Sequence, residues 1–398
     1  MMFLTKHDIS ELHARTEQLA AELIALESDS MQGHEAAVGA YLVQFFRKAG
    51  ISVTIQPCSE TRFNVIAEIP GRRNDRKILY SGHIDTVPLG ETAGWTTSPL
   101  CASIRNGRMY GRGSCDMKGS IACSMSAAEY LAQRQIVPPA TLRFVYDIDE
   151  ENTNLGLKTY LRDPQAADLI IVGEPTSLRL AVGHRGVMAF TVTIRGKSAH
   201  VGQAELGKNA IYASTKAIEQ IQRLNAVLQQ QEQPYLGKPS IHVTQIASGE
   251  KVNVIPDQAT IRIDRRLIYG ETPQVCTEQL AAILENVQQQ TGCKYSLSIT
   301  TSCPPGLSSP ELPVIQAIAK VLKQNTQCAE AVAFGASCEA GMLQEALHAP
   351  VVILGPGSIQ QAHQLDEFIT LEQLHKGTEI YLQLFTKLYR EGVTQDHV

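Results

Sequence analysis

Ile78-Leu79-Tyr80-Ser81-Gly82-His83-Ile84-Asp85 is an apolar run that passes directly into glycine, histidine and aspartate. The same design recurs three times. Leu142 to Tyr146 alternates and runs into DIDEE (147–151), Leu169 to Val172 runs into Gly173-Glu174, and Val351 to Leu354 runs into GPGS (355–358). Short apolar runs bounded by turn signals read as buried strands of an α/β sheet. In open α/β sheets ligands lie beyond the carboxyl ends of the strands, where loops hold polar groups over a rigid base. The residues that follow these four runs are therefore the first candidates for a functional site.

Outward from the strands, segments with mixed polar and apolar faces at Ser10 to Ala25, Met117 to Ala132 and Leu371 to Leu388 read as helices, which predicts a helix-covered mixed sheet. Between 181 and 300 the pattern changes. Met188, Phe190, Val192 and Ile194 alternate onto one strand face. A helix follows with Ile211, Ile218, Ile221 and Leu224, then strands near Ile241 to Ile246 and Ala259 to Leu267, a helix near Val275 to Val287, and a strand near Tyr295 to Ile299. This β-α-β-β-α-β order suggests a ferredoxin-like α+β insert. The expected division is 1–180 and 301–398 for the two parts of a catalytic domain, with 181–300 inserted. Gln229 to Pro239, rich in Gln and Pro, reads as a surface loop within the insert.

The 398 residues suit two domains, or one large domain carrying an insertion, better than one small core, and 43% hydrophobic with 19% charged residues is an ordinary globular balance. No stretch is long and apolar enough to cross a bilayer. The N-terminal MMFLTKHDISELHARTEQL brings in charge before a signal-like apolar run develops, so a cytoplasmic location is expected. A net charge of -5 without a long basic run disfavours nucleic acid. Nine scattered cysteines without a CxxC pair suit reduced thiols.

Two divalent ions about 3.5–4 Å apart need a bridging carboxylate and terminal ligands on each side. Imidazole and carboxylate ligands without thiolate suit a catalytic pair. In SGHIDTVP, His83 is a ligand candidate, and Asp85, on the same strand face, is placed to take a hydrogen bond from its other ring nitrogen. GRGSCDMKGS places Asp116 in a Gly-rich turn before a helix, as the bridge candidate. DIDEENTNLG carries Glu150 and Glu151, which can divide metal binding and proton transfer between them. VGEPTSL supplies Glu174, and AHQLDEF supplies His363. Each motif alone is weak, since a single histidine is most often structural and an adjacent Glu pair is usually a solvated loop. Their joint placement after buried strands carries the argument. His7, His13, His34, His242, His348, His375 and His397 lack such context and read as structural, and Cys115 reads as a packed thiol.

These residues resemble the metallopeptidase family that contains acetylornithine deacetylase, succinyl-diaminopimelate desuccinylase, aminoacylase and the glutamate carboxypeptidases. SGHIDTVP, GRGSCDMKGS, DEEN, VGEPTSL, GKSAH, NVIP and PGSIQQAHQLDEF occur in the family's order over nearly the whole chain. The resemblance implies two divalent ions, zinc with cobalt as the alternative. His83 and Glu174 would bind one, Glu151 and His363 the other, with Asp116 bridging and Glu150 as general base. It further implies that Asp85 orients a ligand, and that His200 of GKSAH is a lid histidine reaching a neighbouring subunit's site to hold the oxyanion. Asn253 and Arg266 fall at substrate-contacting positions, a sheet-surface salt bridge being the other reading of Arg266. A homodimer formed through the inserted lid is implied. The tail PGSIQQAHQLDEF is closer to acetylornithine deacetylase than to the desuccinylase. That implies hydrolysis of a small N-acyl amino acid, N2-acetyl-L-ornithine foremost, in arginine biosynthesis. FGASCEAG (334–341) departs from the family pattern, with Ser337-Cys338 where a Thr-containing turn is expected. The alternatives are the desuccinylase or another N-acyl amino acid hydrolase, a non-catalytic metal-binding protein, and a thiol hydrolase using Cys115 or Cys338.

Overall fold

A computed structural model describes residues 5–390; Met1 to Leu4, where the stretch read for export begins, and His397 lie outside the described residues. The chain forms two compact units, one from residues up to Gly183 together with those from Leu307 onward, the other from His184 to Gly306.

The first unit is built on a mixed sheet. Its strands lie in the order Ser52–Pro57, Phe63–Ile69, Ala140–Asp147, Arg73–His83, Leu169–Val172, Val351–Ile353, Leu180–His184, Gly306–Leu307, with Ala331–Phe334 pairing Leu180–His184 off that path. The four runs that end in polar residues are neighbours in this order and mutually parallel. Their register sets His83 opposite Asp147, and Val172 opposite both Ser81 and Ile353. Parallel alignment brings all four carboxyl ends to one edge, so residues far apart in the chain start from a common line.

Both faces of these strands are covered, which is why the runs are nearly continuous in apolar residues. Ile78, Tyr80, Leu142, Phe144, Tyr146, Leu169 and Ile171 belong to one core, with the helices Lys6–Ile24, Lys118–Gln133 and Leu371–Lys387. Leu79, Val145, Ile170, Val172, Val351 and Ile353 belong to another, with helix Ala340–Leu347. Helix Lys6–Ile24 starts from a capping box, in which the Thr5 hydroxyl accepts from Asp8 N at 3.1 Å and the Asp8 carboxylate accepts from Thr5 N at 3.0 Å. No helix among the described residues is long and apolar enough to cross a membrane.

Two glycines at the strand ends are required by close approach. A Cβ on Gly173 would stand 2.3 Å from the Tyr80 hydroxyl and 2.5 Å from Ser120 Oγ, and one on Gly355 would stand 2.2 Å from the Gly173 carbonyl oxygen. The loop after Ala140–Asp147 is folded by Asp149, a residue in the left-handed region with φ 65°. Its carboxylate accepts from Thr153 N at 3.2 Å and from the Arg62 guanidinium at 2.7 Å. Arg62 also pairs with Glu35, and both carboxylates are 1% exposed.

In the second unit the main elements run strand, helix, strand, strand, helix, strand. The antiparallel sheet has the order Ser240–Ser248, Gln258–Leu267, Gly186–Arg195, Lys294–Cys303, with helices Ala210–Leu228 and Pro273–Thr291. Met188, Phe190, Val192 and Ile194 enter its core. Ile211 does not, because the buried side of its helix is taken by Ala210, Ala213, Ala217 and Ile221. The expected boundaries also shift. One at 181 would cut strand Leu180–His184, which belongs to the main sheet, and one at 300 would cut strand Lys294–Cys303.

Gly173→Ala is expected to cost about 1–3 kcal/mol through overpacking. A denaturant midpoint unchanged from wild type would contradict the contact with Tyr80 and Ser120. Arg62→Ala, which strands two buried carboxylates, is expected to cost about 3–5 kcal/mol in the same measurement, and a loss below about 1 kcal/mol would show the pair to be solvated.

Candidate metal centre

His83 is the last residue of its strand and is 1% exposed. Its Nδ1 lies 3.0 Å from the backbone carbonyl oxygen of Asp85, to which it donates, and this turns Nε2 toward Asp116 Oδ1 at 3.2 Å and Glu174 Oε1 at 3.8 Å. The orienting group is thus the Asp85 carbonyl. The Asp85 carboxylate, expected in that role, is 3.7 Å from Nδ1, too far for a hydrogen bond. It accepts instead from the backbone N–H groups of Glu150 and Glu151, each at 3.1 Å. Asp85 therefore joins the end of one strand to the loop after its neighbour and fixes where both glutamates start.

Asp116 sits in the turn before helix Lys118–Gln133, 6% exposed. Its two oxygens face two imidazoles, with Oδ1 toward His83 and Oδ2 3.3 Å from His363 Nε2. The same His363 nitrogen lies 2.9 Å from Glu151 Oε1. Ligand atoms of His83, Asp116 and Glu151 all lie within 4.8 Å of one another. The structure brings together His83, Asp85, Asp116, Glu150, Glu151, Glu174 and His363, from the segments that follow the four central strands and from the turn before helix Lys118–Gln133.

Five carboxylates and two imidazoles in a largely buried space carry an excess of negative charge. Burial first, then the charges of Glu151, Glu174 and Asp85, push the Glu150 carboxyl well above the usual carboxylate range against the pull of His83. Burial and then Asp116 do the same to Glu174. Burial raises Asp85 to about 7. Hydrogen bonds to Asp116 and Glu151 raise His363 to about 10. For His83, burial is outweighed by the bond to Asp116 and the charges of Asp85, Asp116 and Glu174, so its imidazole is raised well above its ordinary value. Cations are what such a donor set is suited to hold. Nitrogen and oxygen donors around the two-sided Asp116 carboxylate fit a pair of divalent ions, and the His363 side chain, 50% exposed, leaves one side open. Cys115 is no part of this set. Burial pushes its thiol well up, and Sγ donates to the Ser358 carbonyl at 3.1 Å.

His200, Asn253 and Arg266 belong to the other unit. His200 is exposed, and its Nδ1 accepts from Gly202 N at 3.0 Å. GKSAH and NVIP meet there, because Ala199–His200 pairs with Val254–Ile255 and Val201 N donates to the Asn253 carbonyl at 3.1 Å. Arg266 forms an ion pair with Asp264, its Nε and Nη2 at 2.8 and 3.1 Å from that carboxylate.

Several residues escaped the sequence reading. Asp147 and Glu339 are fully buried beneath the strand ends, both raised by burial, with Ser81 Oγ donating to Glu339 at 3.4 Å. Asp147 opens the DIDEE motif and was visible; Glu339, in the departing FGASCEAG segment, has no local signal. Lys118 is buried, its Nζ donating to the Leu26 carbonyl at 2.6 Å, and burial lowers it to about 7. Glu367, in the tail motif that supplies His363, accepts from Arg112 and from backbone N–H groups of the Asp116 turn.

Residues 79–387 match peptidase family M20/M25/M40. The acetylornithine deacetylase of Yersinia pseudotuberculosis is 31% identical over 373 residues, covering 90% of this chain and 92% of that one. That of Proteus mirabilis is 30% identical over 374 residues, with 90% and 92% covered. The aminopeptidase PepT of Bacillus cereus has a similar fold, with a TM-score of 0.79 at 20% identity over 94% of this chain and 98% of that one. So has the Bacillus subtilis YxeP protein, described as a dinuclear metal binding peptidase, with a TM-score of 0.70 at 20% identity over 94% and 98%. The family match spans the four strand ends and every member of the cluster, and with it the chain belongs to peptidase family M20/M25/M40, a family of amide-bond hydrolases.

Proposed function

We propose that this chain is a di-metal amidohydrolase that removes the acyl group from an N-acyl amino acid, acting on N2-acetyl-L-ornithine to give ornithine and acetate. The observation that carries the reading is Asp116, whose two carboxylate oxygens face two different histidines within a cluster of four further carboxylates. The substrate assignment is supported by relatives called acetylornithine deacetylase that align over 90% of the chain. It is supported also by the tail motif around His363.

His83 and Glu174 would hold one ion, Glu151 and His363 the other, with Asp116 between them. When bound, zinc or cobalt ions supply Lewis-acid polarisation of the scissile carbonyl and lower the pKa of water toward about 7. The chain's own residues do the rest. Glu150 combines a raised proton affinity with a position beside the ligands. It takes a proton from the attacking water and delivers it to the nitrogen of the leaving amine as the C–N bond breaks. Asp85, by holding the Glu150 and Glu151 amides, keeps base and ligand apart in role though adjacent in sequence.

The inserted ferredoxin-like unit serves in this proposal as lid and dimerisation domain. His200 of a second copy donates to the developing oxyanion, and Asn253 and Arg266 contact the substrate. Arg266 would exchange Asp264 for a substrate carboxylate. The working form is then a homodimer.

Glu150→Ala is expected to lower kcat by about 10²–10⁴-fold while bound metal stays at the wild-type stoichiometry; turnover near wild type would remove Glu150 as the base. His200→Ala is expected to lower kcat more than it raises KM, because an oxyanion contact is realised in the transition state. An unchanged kcat sinks that role. The substrate is tested by kcat/KM for N2-acetyl-L-ornithine against succinyl-diaminopimelate and a panel of N-acetyl amino acids. If acetylornithine is not preferred, the assignment fails while the amidohydrolase reading stands.

A further inference from the structure

We propose that Glu367 and Arg112 act as positioning residues, forming a reciprocal clasp that sets His363 against Asp116 and thereby fixes the more exposed of the two cation positions. This rests on the metal centre proposed above.

The need for such a device follows from where the ligands sit. His83 ends a strand, and Glu174 stands two positions past the end of another, so the ladder of the parallel sheet locates both. Asp116 and His363 have no such support. Asp116 lies in a turn before its helix, and His363 lies in the irregular segment between strands Val351–Ile353 and Phe368–Thr370, with φ 65° and half its side chain exposed. A bridging ligand and a terminal ligand on two irregular loops need something to fix their separation.

The clasp does this from both sides. Glu367, 1% exposed, comes from the His363 loop. One of its oxygens accepts from Cys115 N at 2.8 Å and Asp116 N at 3.1 Å, and the other accepts from Gly113 N at 3.1 Å and Arg112 Nη1 at 2.8 Å. Arg112, 4% exposed, comes from the Asp116 turn. Its Nη1 donates also to the carbonyl of Gln364, the residue after His363, at 3.1 Å. Its guanidinium is covered by the Trp95 ring at 5.1 Å. Beyond the clasp the seam continues as a strand pair, with Phe368 opposite Tyr110. Each loop thus holds the backbone beside the other loop's ligand.

An amide at 367 presents one acceptor oxygen and an NH2 group to four N–H donors, so Glu367→Gln breaks half the clasp with little change of shape. Arg112→Lys keeps the charge but loses the planar guanidinium that lies against the Trp95 ring and holds Nη1 between Glu367 and Gln364. The neighbouring Asp366 carboxylate accepts from Thr96 N and Oγ1 at 2.8 and 3.1 Å, outside the clasp, and Asp366→Asn is the control.

The test is a calorimetric and visible-absorption titration of Co2+ into the full-length, chelator-stripped chain. Wild type and Asp366→Asn should take up two ions. In Glu367→Gln and Arg112→Lys the first should bind as in wild type and the second should weaken by about tenfold or more, with a changed cobalt spectrum at that step. A merely structural role would lower the melting temperature and leave the two steps in their wild-type ratio, which overturns the clasp. Two wild-type affinities in both variants, or equal weakening of both steps, overturns it as well. If Glu367→Gln does not fold, Arg112→Lys decides. Should the wild-type chain itself fail to bind two ions, the metal centre falls and the clasp with it.

Discussion

Like charges packed close together in a buried space repel one another and lose their hydration, and a protein keeps them there only by supplying positive charge and fixed dipoles. Asp85, Asp116, Glu150, Glu151 and Glu174 impose that demand at the edge of the sheet. Much of the surrounding structure can be understood as its answer. His83 and His363 bring imidazole to both oxygens of Asp116. Asp85 is met by two backbone amides, and Arg62 meets Asp149 at the root of the same loop. Burial first, and neighbouring carboxylates after it, still raise the proton affinities of Glu150 and Glu174.

The parallel sheet makes the concentration of charge geometrically possible. Four adjacent strands end on one line, and each is buried on both faces, so the ends are held by apolar packing that does not depend on the polar residues beyond them. Tyr80, Phe144, Tyr146 and Tyr381 pack against one another behind that line, and the hydroxyls of Tyr80 and Tyr381 both reach Ser120. Rigidity there lets the loops in front carry unfavourable chemistry.

What was legible in the sequence follows from this division. The four central strands could be read because burial on both faces leaves continuous apolar runs, and the ligand candidates because they abut those runs. Glu150 and Glu151 could not be separated by pattern, since adjacent glutamates differ only in which way the loop turns them. Asp85 was visible as a participant but not in its contact, because a carbonyl oxygen that orients His83 leaves no trace in residue identity. Glu339 and Arg112 were illegible for a related reason. Their partners are distant in the chain, and nothing in FGASCEAG or GRGS distinguishes a structural charge from a solvated one. Arg266 carried two readings, and its ion pair with Asp264, two positions away on the same strand face, is the part that spacing alone makes legible.

The approach of Gly355 to the Gly173 carbonyl ties two strand ends together without any side chain. Variation in the turn that presents Glu174 is therefore not independent of variation after Val351–Ile353. A lineage acquiring a side chain at 355 would have to move the Glu174 turn outward in the same step, or lose that carboxylate from the cluster. Diversity among descendants of this chain should accumulate in the loops that reach over the centre and stay sparse at its floor, where backbone abuts backbone and the smallest addition has nowhere to go.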